Sequence, residues 1–364
     1  MKVAILYGGR SGEHEVSLLS AASVVRKLDR RHTVVLVGID REGVWRYQSR
    51  AFLERARATE SGPLEIDLNA PPVAIVPGKG LAAATPRGLE PIAVDVVFPV
   101  LHGSFGEDGT VQGALETARL PYVGADVLGS AIGIDKDVAK RLWQAAGIPV
   151  LPWRVIRVEE LEGEALEASL GAVESEFPYP VFVKPASAGS SVGAAKAGDR
   201  GALEAAVRGA LRYDSKCLVE PFMAAREIEV SVIGGAAPRS FPPGEIAPTH
   251  EFYDYEAKYV DPDGAALLIP APLEPALAAS IRSLAERAYR AAELSGMSRV
   301  DFFVSKEDGS VRLNEVNTIP GFTQISMFPK MAEEGGLPYT ELLEDLLAFA
   351  IERARRKDAL RFER

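Results

Sequence analysis

The strongest constraint on the fold is an apolar strand at the start of the chain that runs into two glycines and then into a helix. KVAILYGG is typical of a buried strand, and the next stretch repeats apolar residues at helical spacing, at Val16, Leu19, Ala22 and Val25. HTVVLVGID and VDVVFPVLHG supply two more buried strands. We therefore predict an open parallel α/β (Rossmann-like) sheet, whose ligands gather at the carboxyl ends of its strands.

The rest of the chain predicts a mixed α/β fold, α+β in part, and the length of 364 residues predicts two or three domains. Residues 43–90 are rich in Ala, Pro and Gly, which indicates an irregular insertion. DKDVAKRLWQAAGIP predicts a helix whose stripe holds Val138, Leu142 and Ala146. YPVFVKP, CLVEPF and REIEVSVIGG predict short strands, and a long helix, a hairpin and a terminal helix follow. The predicted domains are residues 1–126, 127–222 and 223–364.

Charge and cysteine content disfavour several classes of protein. The 51 acidic and 41 basic residues give a net charge of −10, which disfavours nucleic acid as a partner. The single cysteine, Cys217, excludes an internal disulfide and fits a reducing compartment. MKVAILYGGRSGE lacks the features of a secretory signal, and no apolar run is long enough to span a membrane. We expect a cytoplasmic protein with no membrane partner.

The segment SRVDFFVSKEDGSVRLNEVNT is typical of two strands joined by a tight turn. A three-residue loop at 307–309, with Gly309 in the left-handed region, would make Lys306 face Ser310. In that register, the facing pairs farther from the turn are Asp301 with Glu315 and Arg299 with Asn317. Because side chains alternate between faces, all four of these polar side chains are expected on one side.

Asp301 and Glu315 are two like charges in facing positions, which destabilises a strand pair unless something compensates them. A divalent cation would do so, and an all-oxygen set completed by Asn317 suits Mg²⁺ rather than zinc. Alternatively, Arg299 and backbone groups satisfy the carboxylates without a metal. The residues alone leave both possibilities open.

Other polar residues interrupt or end apolar strands. Lys184 precedes the glycine turn GSSVG, which either cradles a phosphate or is an ordinary hairpin turn beside a lysine that reaches solvent. Glu220 and Pro221 end another strand and leave backbone groups that could bond a nucleobase edge. In REIEVSV, Glu227 and Glu229 lie opposite the apolar residues, which favours a solvated acidic face.

Three loops combine glycines or aromatic residues with charge. GRSGEHEVS and HGSFGEDGTVQG follow strands, and the four histidines of the chain are too scattered to predict a zinc site. FYDYEAKY is a loop that either closes over a site with Lys258 or packs on itself. With Lys136 and Lys184 as phosphate ligands, these features predict an ATP site that lacks a Walker motif and suits activation of a carboxylate for capture by an amine.

The set GGRSGEHEVSLLSA, HGSFGEDGTVQG, IDK, VKPASAGSSVG, REIEV, YDYEAKY, RVDFF and NEVNTIPGFTQISMFP resembles the D-alanine–D-alanine ligase family of the ATP-grasp superfamily. The resemblance covers nearly the whole chain, except residues 43–90 and the C-terminal tail. It implies an ATP-grasp fold, with ATP held between the central and C-terminal domains, and ligation of two D-alanine molecules through a D-alanyl phosphate for peptidoglycan synthesis. It also implies a homodimer.

The resemblance implies roles for nucleotide and metal ligands. The implied ligands of the ATP phosphates are Lys136, Lys184 and Lys258. Glu220 would face the adenine, and Glu227 would hold the ribose. Ser191 and Asn314 complete the implied nucleotide-binding set. The implied ligands of two Mg²⁺ ions, which Mn²⁺ could replace, are Asp301, Glu315 and Asn317.

The resemblance also implies substrate and catalytic roles. Glu13 binds the ammonium of the first D-alanine with His102 close by, and it forms a hydrogen-bonded set with Ser190 and Tyr259 that pins the lid. Relatives that favour D-lactate tend to carry histidine where this chain has Tyr259, which points to D-alanine. Arg299 and the Gly321 N–H are the implied ligands of the tetrahedral oxyanion. Ser326, with the region of Met327, is the implied ligand of the second substrate's carboxylate.

Three other functions compete with this interpretation. A D-alanine–D-lactate ligase, or another ATP-grasp carboxylate–amine ligase, would keep the same site with a different acceptor. An NAD-dependent oxidoreductase is disfavoured because neither glycine loop matches GxGxxG. A catalytically silent nucleotide-binding module is disfavoured by the complete set of site residues.

Overall fold

The computed structural model describes residues 1–248 and 265–361, which form four sheets flanked by helices. The helices of these ranges are α1 (His14–Lys27), α2 (Arg50–Ala58), α3 (Thr110–Thr117), α4 (Val127–Ile134), α5 (Lys136–Ala145), α6 (Gly163–Glu176), α7 (Arg200–Ala210), α8 (Pro275–Ala291), α9 (Met327–Glu334) and α10 (Tyr339–Asp358). None of these described helices has the length and apolar character that a membrane crossing requires.

The first sheet is open and parallel, as predicted. β1 (Lys2–Gly8) lies between β2 (Thr33–Ile39) and β7 (Val96–Val100) and runs parallel to both, while β3 (Trp45–Tyr47) adds an antiparallel edge. Side chains of β1 alternate between two core clusters, so both faces of the strand are buried. The loops after β1 and β7 therefore meet at one edge of the sheet.

Residues 43–90 form regular structure, so the predicted irregular insertion is wrong. Besides β3 and α2, they hold most of a three-stranded antiparallel sheet of β4 (Val73–Val76), β5 (Gly80–Thr85) and β6 (Gly88–Ile92). Leu81, Ala83 and Ile92 form its small core. β4 is only four residues long, and β5 and β6 contain Ala, Gly and Pro in place of the usual run of β-branched residues, which hid this sheet in the sequence.

The second large sheet is antiparallel throughout and contains the predicted strands around Lys184 and Glu220. Its order is β10 (Ala195–Ala197), β9 (Val181–Pro185), β11 (Lys216–Pro221) and β8 (Arg154–Arg157). Val181, Val183 and Val219 enter a core that α6 and α7 cover. Because side chains alternate, Lys184 and Glu220 project from the opposite face.

The third large sheet contains the predicted hairpin. Its order is β15 (Ala265–Leu268), β14 (Gly244–Pro248), β12 (Ala225–Gly234), β16 (Gly296–Ser305) and β17 (Val311–Asn317), and β13 (Arg239–Ser240) pairs with β12. Ile228, Val230 and Val300 share a core with α8. The alternating polar positions face away from that core, and Glu229 lies opposite Asp301.

Two predicted helix stripes need correction. On α1, Leu19 is 40% exposed, whereas the other three predicted positions are buried. On α5, Val138 and Leu142 are exposed and so is Ala146. The buried face of α5 consists of Lys136, Asp137, Ala139, Lys140 and Trp143. The prediction failed because it counted only apolar side chains, while this helix buries two lysines.

Hydrogen bonds of one arginine on the terminal helix α10 connect residues 122–124 to the residue before β16 of the third sheet. Arg353 on α10 donates to the carbonyls of Tyr122 and Gly124 and to Ser295 Oγ, and its guanidinium lies 4.4 Å from the centre of the Tyr122 ring. Gly296, at φ +76°, packs so closely that an added Cβ would lie 3.0 Å from the backbone of Gly124. The division into residues 1–126, 127–222 and 223–364 stays a prediction.

Candidate active site

The hairpin of β16 and β17 contains the two facing pairs that were predicted near the site. The turn differs from the predicted one, and a bulge compensates for the difference. Asp301 faces Glu315 and Arg299 faces Asn317. The predicted Lys306–Ser310 pair is wrong, because Ser305 N–H donates to Ser310 O at 2.9 Å and the turn spans residues 306–309. Gly309 has the predicted positive φ, +71°. A β-bulge between the Asp301 and Phe302 pairs inserts Asn314 and restores the predicted register.

The bulge turns two successive polar side chains toward the second sheet. Leu313 and Val316 both enter the core under α8, so the residues between them do not alternate. Asn314 Oδ1 accepts from Lys184 Nζ at 2.9 Å, and Glu315 pairs with Lys136 Nζ at 3.3 Å. The third sheet thus presents oxygen atoms to lysines of α5 and β9.

Asp301 lies in a charged network on the same face. Arg299 donates to both of its carboxylate oxygens, at 2.8 and 2.7 Å, and Asn317 Nδ2 donates to Oδ2 at 2.9 Å. Arg299 Nε also lies 3.2 Å from Glu229 Oε2. Burial lowers the pKa of Arg299, but the Asp301 and Glu229 carboxylates outweigh it and raise that pKa well above its usual value. Glu229 is 4% exposed, so the predicted solvated acidic face is wrong at this residue.

Lys136 and Lys184 converge where the second sheet meets the third, in the region bordered by α5, β9 and β17 that we call the cleft. Lys136 is the first residue of α5, and its Nζ donates to Ala188 O at 2.9 Å in the turn before GSSVG. Lys184 Nζ lies 2.9 Å from Glu220 Oε2 in addition to its bond with Asn314. Each lysine therefore bridges the glycine-turn side of the cleft to β17.

Lys140 is a site residue that the sequence analysis missed. Its ammonium contacts Glu220 Oε1 and lies 5.0 Å from the centre of the Trp153 ring. Burial lowers the pKa of Lys140 to about 8, although the Glu220 carboxylate opposes that shift. Burial raises the pKa of Glu220, but Lys184 and Lys140 outweigh it, so its pKa is lowered. The sequence contained one indication of Lys140: it follows Lys136 by four residues, a spacing that puts both side chains on the same face of a helix.

The glycine turn meets the loop after β1. Ser190 Oγ donates to Glu13 Oε1, which brings together two of the three members of the predicted set. Ser190 and Ser191 both have positive φ, +49° and +59°, a conformation that non-glycine residues adopt rarely. An added Cβ on Gly189 would lie 2.7 Å from Glu13 Oε2, so glycine permits the contact.

His102 lies in the loop after β7 and is buried. Its Nδ1 donates to Ile319 O at 2.9 Å, and its Nε2 lies 3.0 Å from Ser20 Oγ, which also accepts from Phe322 N–H at 3.2 Å. Burial lowers the pKa of His102, which Glu13 partly offsets and Arg299 reinforces. A neutral imidazole that donates through Nδ1 accepts from Ser20 through Nε2.

Glu107 is a second residue that the sequence analysis missed, within the motif HGSFGEDG. It accepts from Gly103 N–H at 3.0 Å, Ile319 N–H at 2.8 Å and Thr318 Oγ1 at 3.1 Å. Burial raises its pKa to about 7, the Glu13 charge adds to the rise, and the hydrogen bonds oppose it. Glu107 thereby fastens the loop after β7 to the loop after β17.

The loop after β17 carries the predicted oxyanion and carboxylate residues. Gly321 lies close to Ser326, since an added Cβ on Gly321 would meet Ser326 Oγ at 2.7 Å. Ser326 Oγ accepts from Thr323 N–H at 3.0 Å and precedes α9. The Met327 side chain is 4% exposed and belongs to the core, so only its backbone faces the loop.

The remaining predicted residues fall in two groups. Ser191 is exposed in the glycine turn, and Glu227 is half-buried on β12. Lys258 and Tyr259 lie outside the described residues.

Across residues 1–248 and 265–361, no three His, Cys, Asp or Glu side chains are arranged as a metal site. The predicted set contains two carboxylates and one amide, so a cation there would need further oxygen atoms from a ligand.

Two family models match the chain. Those described as "D-ala D-ala ligase N-terminus" and "D-ala D-ala ligase C-terminus" match residues 2–125 and 142–348. A D-alanine–D-alanine ligase of Treponema denticola is 47% identical over 355 residues, which cover 97% of this chain and 96% of the relative. The chain belongs to the D-alanine–D-alanine ligase family.

Solved structures of ligases have the same fold. The D-alanine–D-alanine ligase from Coxiella burnetii matches with a TM-score of 0.83 at 34% identity, over 98% of this chain and 96% of that one. The VanG D-Ala:D-Ser ligase from Enterococcus faecalis matches with a TM-score of 0.82 at 33% identity, over 96% and 99%. The chain therefore has the ATP-grasp fold, and the predicted fold class is confirmed.

Proposed function

We propose that this protein ligates two D-alanine molecules with ATP, giving D-alanyl-D-alanine, ADP and phosphate for peptidoglycan synthesis. The observation that carries the proposal is the convergence of Lys136 and Lys184 with Asn314 and Glu315 in one cleft. This arrangement sets cations beside oxygen ligands without a Walker loop, within a chain of the ligase family.

The nucleotide is proposed to lie in the cleft between the second and third sheets. Lys136 and Lys184 face it with ammonium groups that suit phosphate oxygens, and the Ser190–Ser191 turn borders it. Glu220 and Glu227 are the expected contacts for adenine and ribose. We expect Lys258 and Tyr259, in the segment outside the described residues, to complete this side of the site.

Mg²⁺ fits the donor set of the third sheet. Asp301 and Glu315 occupy facing positions, and Asn317 lies within 2.9 Å of Asp301, so three side chains with oxygen donors share one small region. Protein sites for Mg²⁺ use one or two carboxylates together with substrate phosphates. Such ions, two in our proposal, would offset the negative charge of the phosphates. Arg299, already ion-paired with Asp301, would then be shared between the carboxylate and the reacting group.

The proposed reaction has two steps. A carboxylate oxygen of the first D-alanine attacks the γ-phosphorus of ATP, which forms D-alanyl phosphate and releases ADP. The amine of the second D-alanine, after loss of a proton, attacks the acyl carbon and displaces phosphate. Glu13 is proposed to hold the first ammonium, while Arg299 and the Gly321 N–H hold the oxyanion.

Hydrogen bonds from two loops support the proposed role of the Gly321 N–H, because they hold residues on both sides of Gly321. His102 and Glu107 bind both sides of Ile319, and Ser20 accepts from Phe322 N–H. Donors fixed in this way need no reorganisation when charge develops on the substrate, which is the main source of electrostatic catalysis. Ser326, beside Gly321, is the proposed contact of the second carboxylate.

The acceptor distinguishes this proposal from its nearest alternative. The VanG structure is a D-Ala:D-Ser ligase, so this fold accommodates other second substrates. Phosphate release from ATP should be measured with D-alanine, with L-alanine, and with D-alanine plus D-lactate or D-serine. Absence of Mg²⁺-dependent release of phosphate with D-alanine alone would refute the proposal.

Tyr259→His should shift the acceptor preference toward D-lactate, and an unchanged preference would contradict the proposed role of Tyr259.

A further inference from the structure

Lys140 has no part in the reaction proposed above, yet it is buried at the edge of the nucleotide cleft. It is 1% exposed, and its carboxylate partner Glu220 is 2% exposed. A buried ammonium is costly unless a charge and hydrogen bonds compensate it. A residue that served packing alone would more simply be apolar at this position.

Glu220 is shared by two lysines. Its Oε1 accepts from Lys140, and its Oε2 lies 2.9 Å from Lys184 Nζ. The group of three therefore carries a net charge of +1, from two ammonium groups and one carboxylate. Lys184 is the member that reaches the third sheet, through Asn314 at 2.9 Å.

We propose that Lys140 is a positioning residue that holds Glu220 and thereby leaves the charge of Lys184 available to a nucleotide phosphate. The inference rests on the nucleotide role proposed for Lys184. Without Lys140, Glu220 and Lys184 would form a neutral pair, and drawing Lys184 toward a phosphate would leave a buried carboxylate without its counter-ion. With Lys140 in place, Glu220 keeps a partner when Lys184 moves.

The first comparison is between Lys140→Met and Lys216→Met. Lys216, on β11, is a matched control because its side chain is 12% exposed and pairs with Asp135 at 2.7 Å and Asp137 at 3.3 Å. Both changes remove an ammonium next to α5, but only one touches Glu220. ATP affinity is measured by calorimetry with Mg²⁺ and without D-alanine, so that no turnover occurs.

We expect Lys140→Met to raise the Kd for ATP about tenfold or more, the scale of one charge-assisted hydrogen bond. Lys216→Met should change it less than about twofold, and Lys140→Arg, which keeps the charge, should retain most of the affinity. In kinetics, the KM for ATP should rise in Lys140→Met while the KM for D-alanine stays unchanged. An unchanged Kd in a folded Lys140→Met protein overturns the inference.

A second pair of variants separates charge from packing. In a Glu220→Gln background there is no carboxylate to hold, so adding Lys140→Met should no longer weaken ATP binding. Equal weakening in both backgrounds overturns the inference and assigns Lys140 a packing role. If thermal unfolding shows that the Lys140→Met protein is not folded, Lys140→Gln provides the same comparison with a smaller change. A wild-type protein that binds no ATP refutes the proposed function itself, whereas wild-type-like binding by the variant refutes only the role of Lys140.

Discussion

Replacing Glu107 with glutamine tests the attachment between the loops that follow β7 and β17. Glu107 is buried and accepts three hydrogen bonds, from Gly103, Thr318 and Ile319. Glutamine has nearly the same shape, but its amide nitrogen cannot accept a hydrogen bond, so in either orientation of the amide the N–H of Gly103 or of Ile319 loses its acceptor. A buried donor without a partner costs about 1–3 kcal/mol, which is the loss expected near pH 5.

The loss should depend on pH because the Glu107 carboxyl titrates near neutrality. Its pKa rises to about 7 in the folded protein from the ordinary 4.5. Between those values the folded state holds a proton that the unfolded chain has released, so wild-type stability falls as pH rises through this window. At about 1.4 kcal/mol per pH unit the full fall is about 3 kcal/mol, most of it between pH 5 and pH 8. The Glu107→Gln variant lacks this titration.

The assay is urea unfolding of both proteins at pH 5, 6, 7 and 8, compared at each pH so that the other carboxyl groups cancel. Wild type should be the more stable protein at pH 5, and its advantage should shrink by about 2–3 kcal/mol, or reverse, at pH 8. A difference that stays constant across this range would refute the reasoning, because Glu107 would then titrate alike in folded and unfolded chains.

Three further changes test separate parts of the structure. Arg353→Ala should destabilise the protein by about 3 kcal/mol in urea unfolding, because it leaves the Tyr122 and Gly124 carbonyls without their charged donor, and Arg353→Lys should recover at most half. Glu315→Ala should nearly abolish Mg²⁺-dependent turnover while thermal unfolding stays near wild type; retained activity would contradict its proposed role as a metal ligand. Trp143→Ala should lower the free energy of unfolding by about 3–5 kcal/mol, because Trp143 is fully buried and donates to Ala288 O; a loss below about 1 kcal/mol would show that the site collapses around the missing ring.

The sequence predicted the elements with strong periodicity and missed those that depend on tertiary pairing. The β1–α1 unit was correct because long apolar runs set its faces. The Asp301–Glu315 and Arg299–Asn317 pairs are present as predicted, but only because the bulge at Asn314 offsets the error of one residue in the predicted turn. The α5 stripe was wrong because Lys136 and Lys140 find their partners on other elements, which no local pattern records. Asn314 entered the predicted site through family resemblance, yet nothing in VRLNEVN signalled that it would form a bulge.

The bulge at Asn314 has a consequence for insertions and for protein engineering. The pairing of Asp301 with Glu315 is set in the middle of the hairpin, by the extra residue and by the anchoring of Leu313 and Val316 in the core. The exposed turn at 306–309 only closes the far end. Segments of different length can therefore be spliced into that turn, as a reporter peptide or a binding module, without displacing the polar residues that face the cleft.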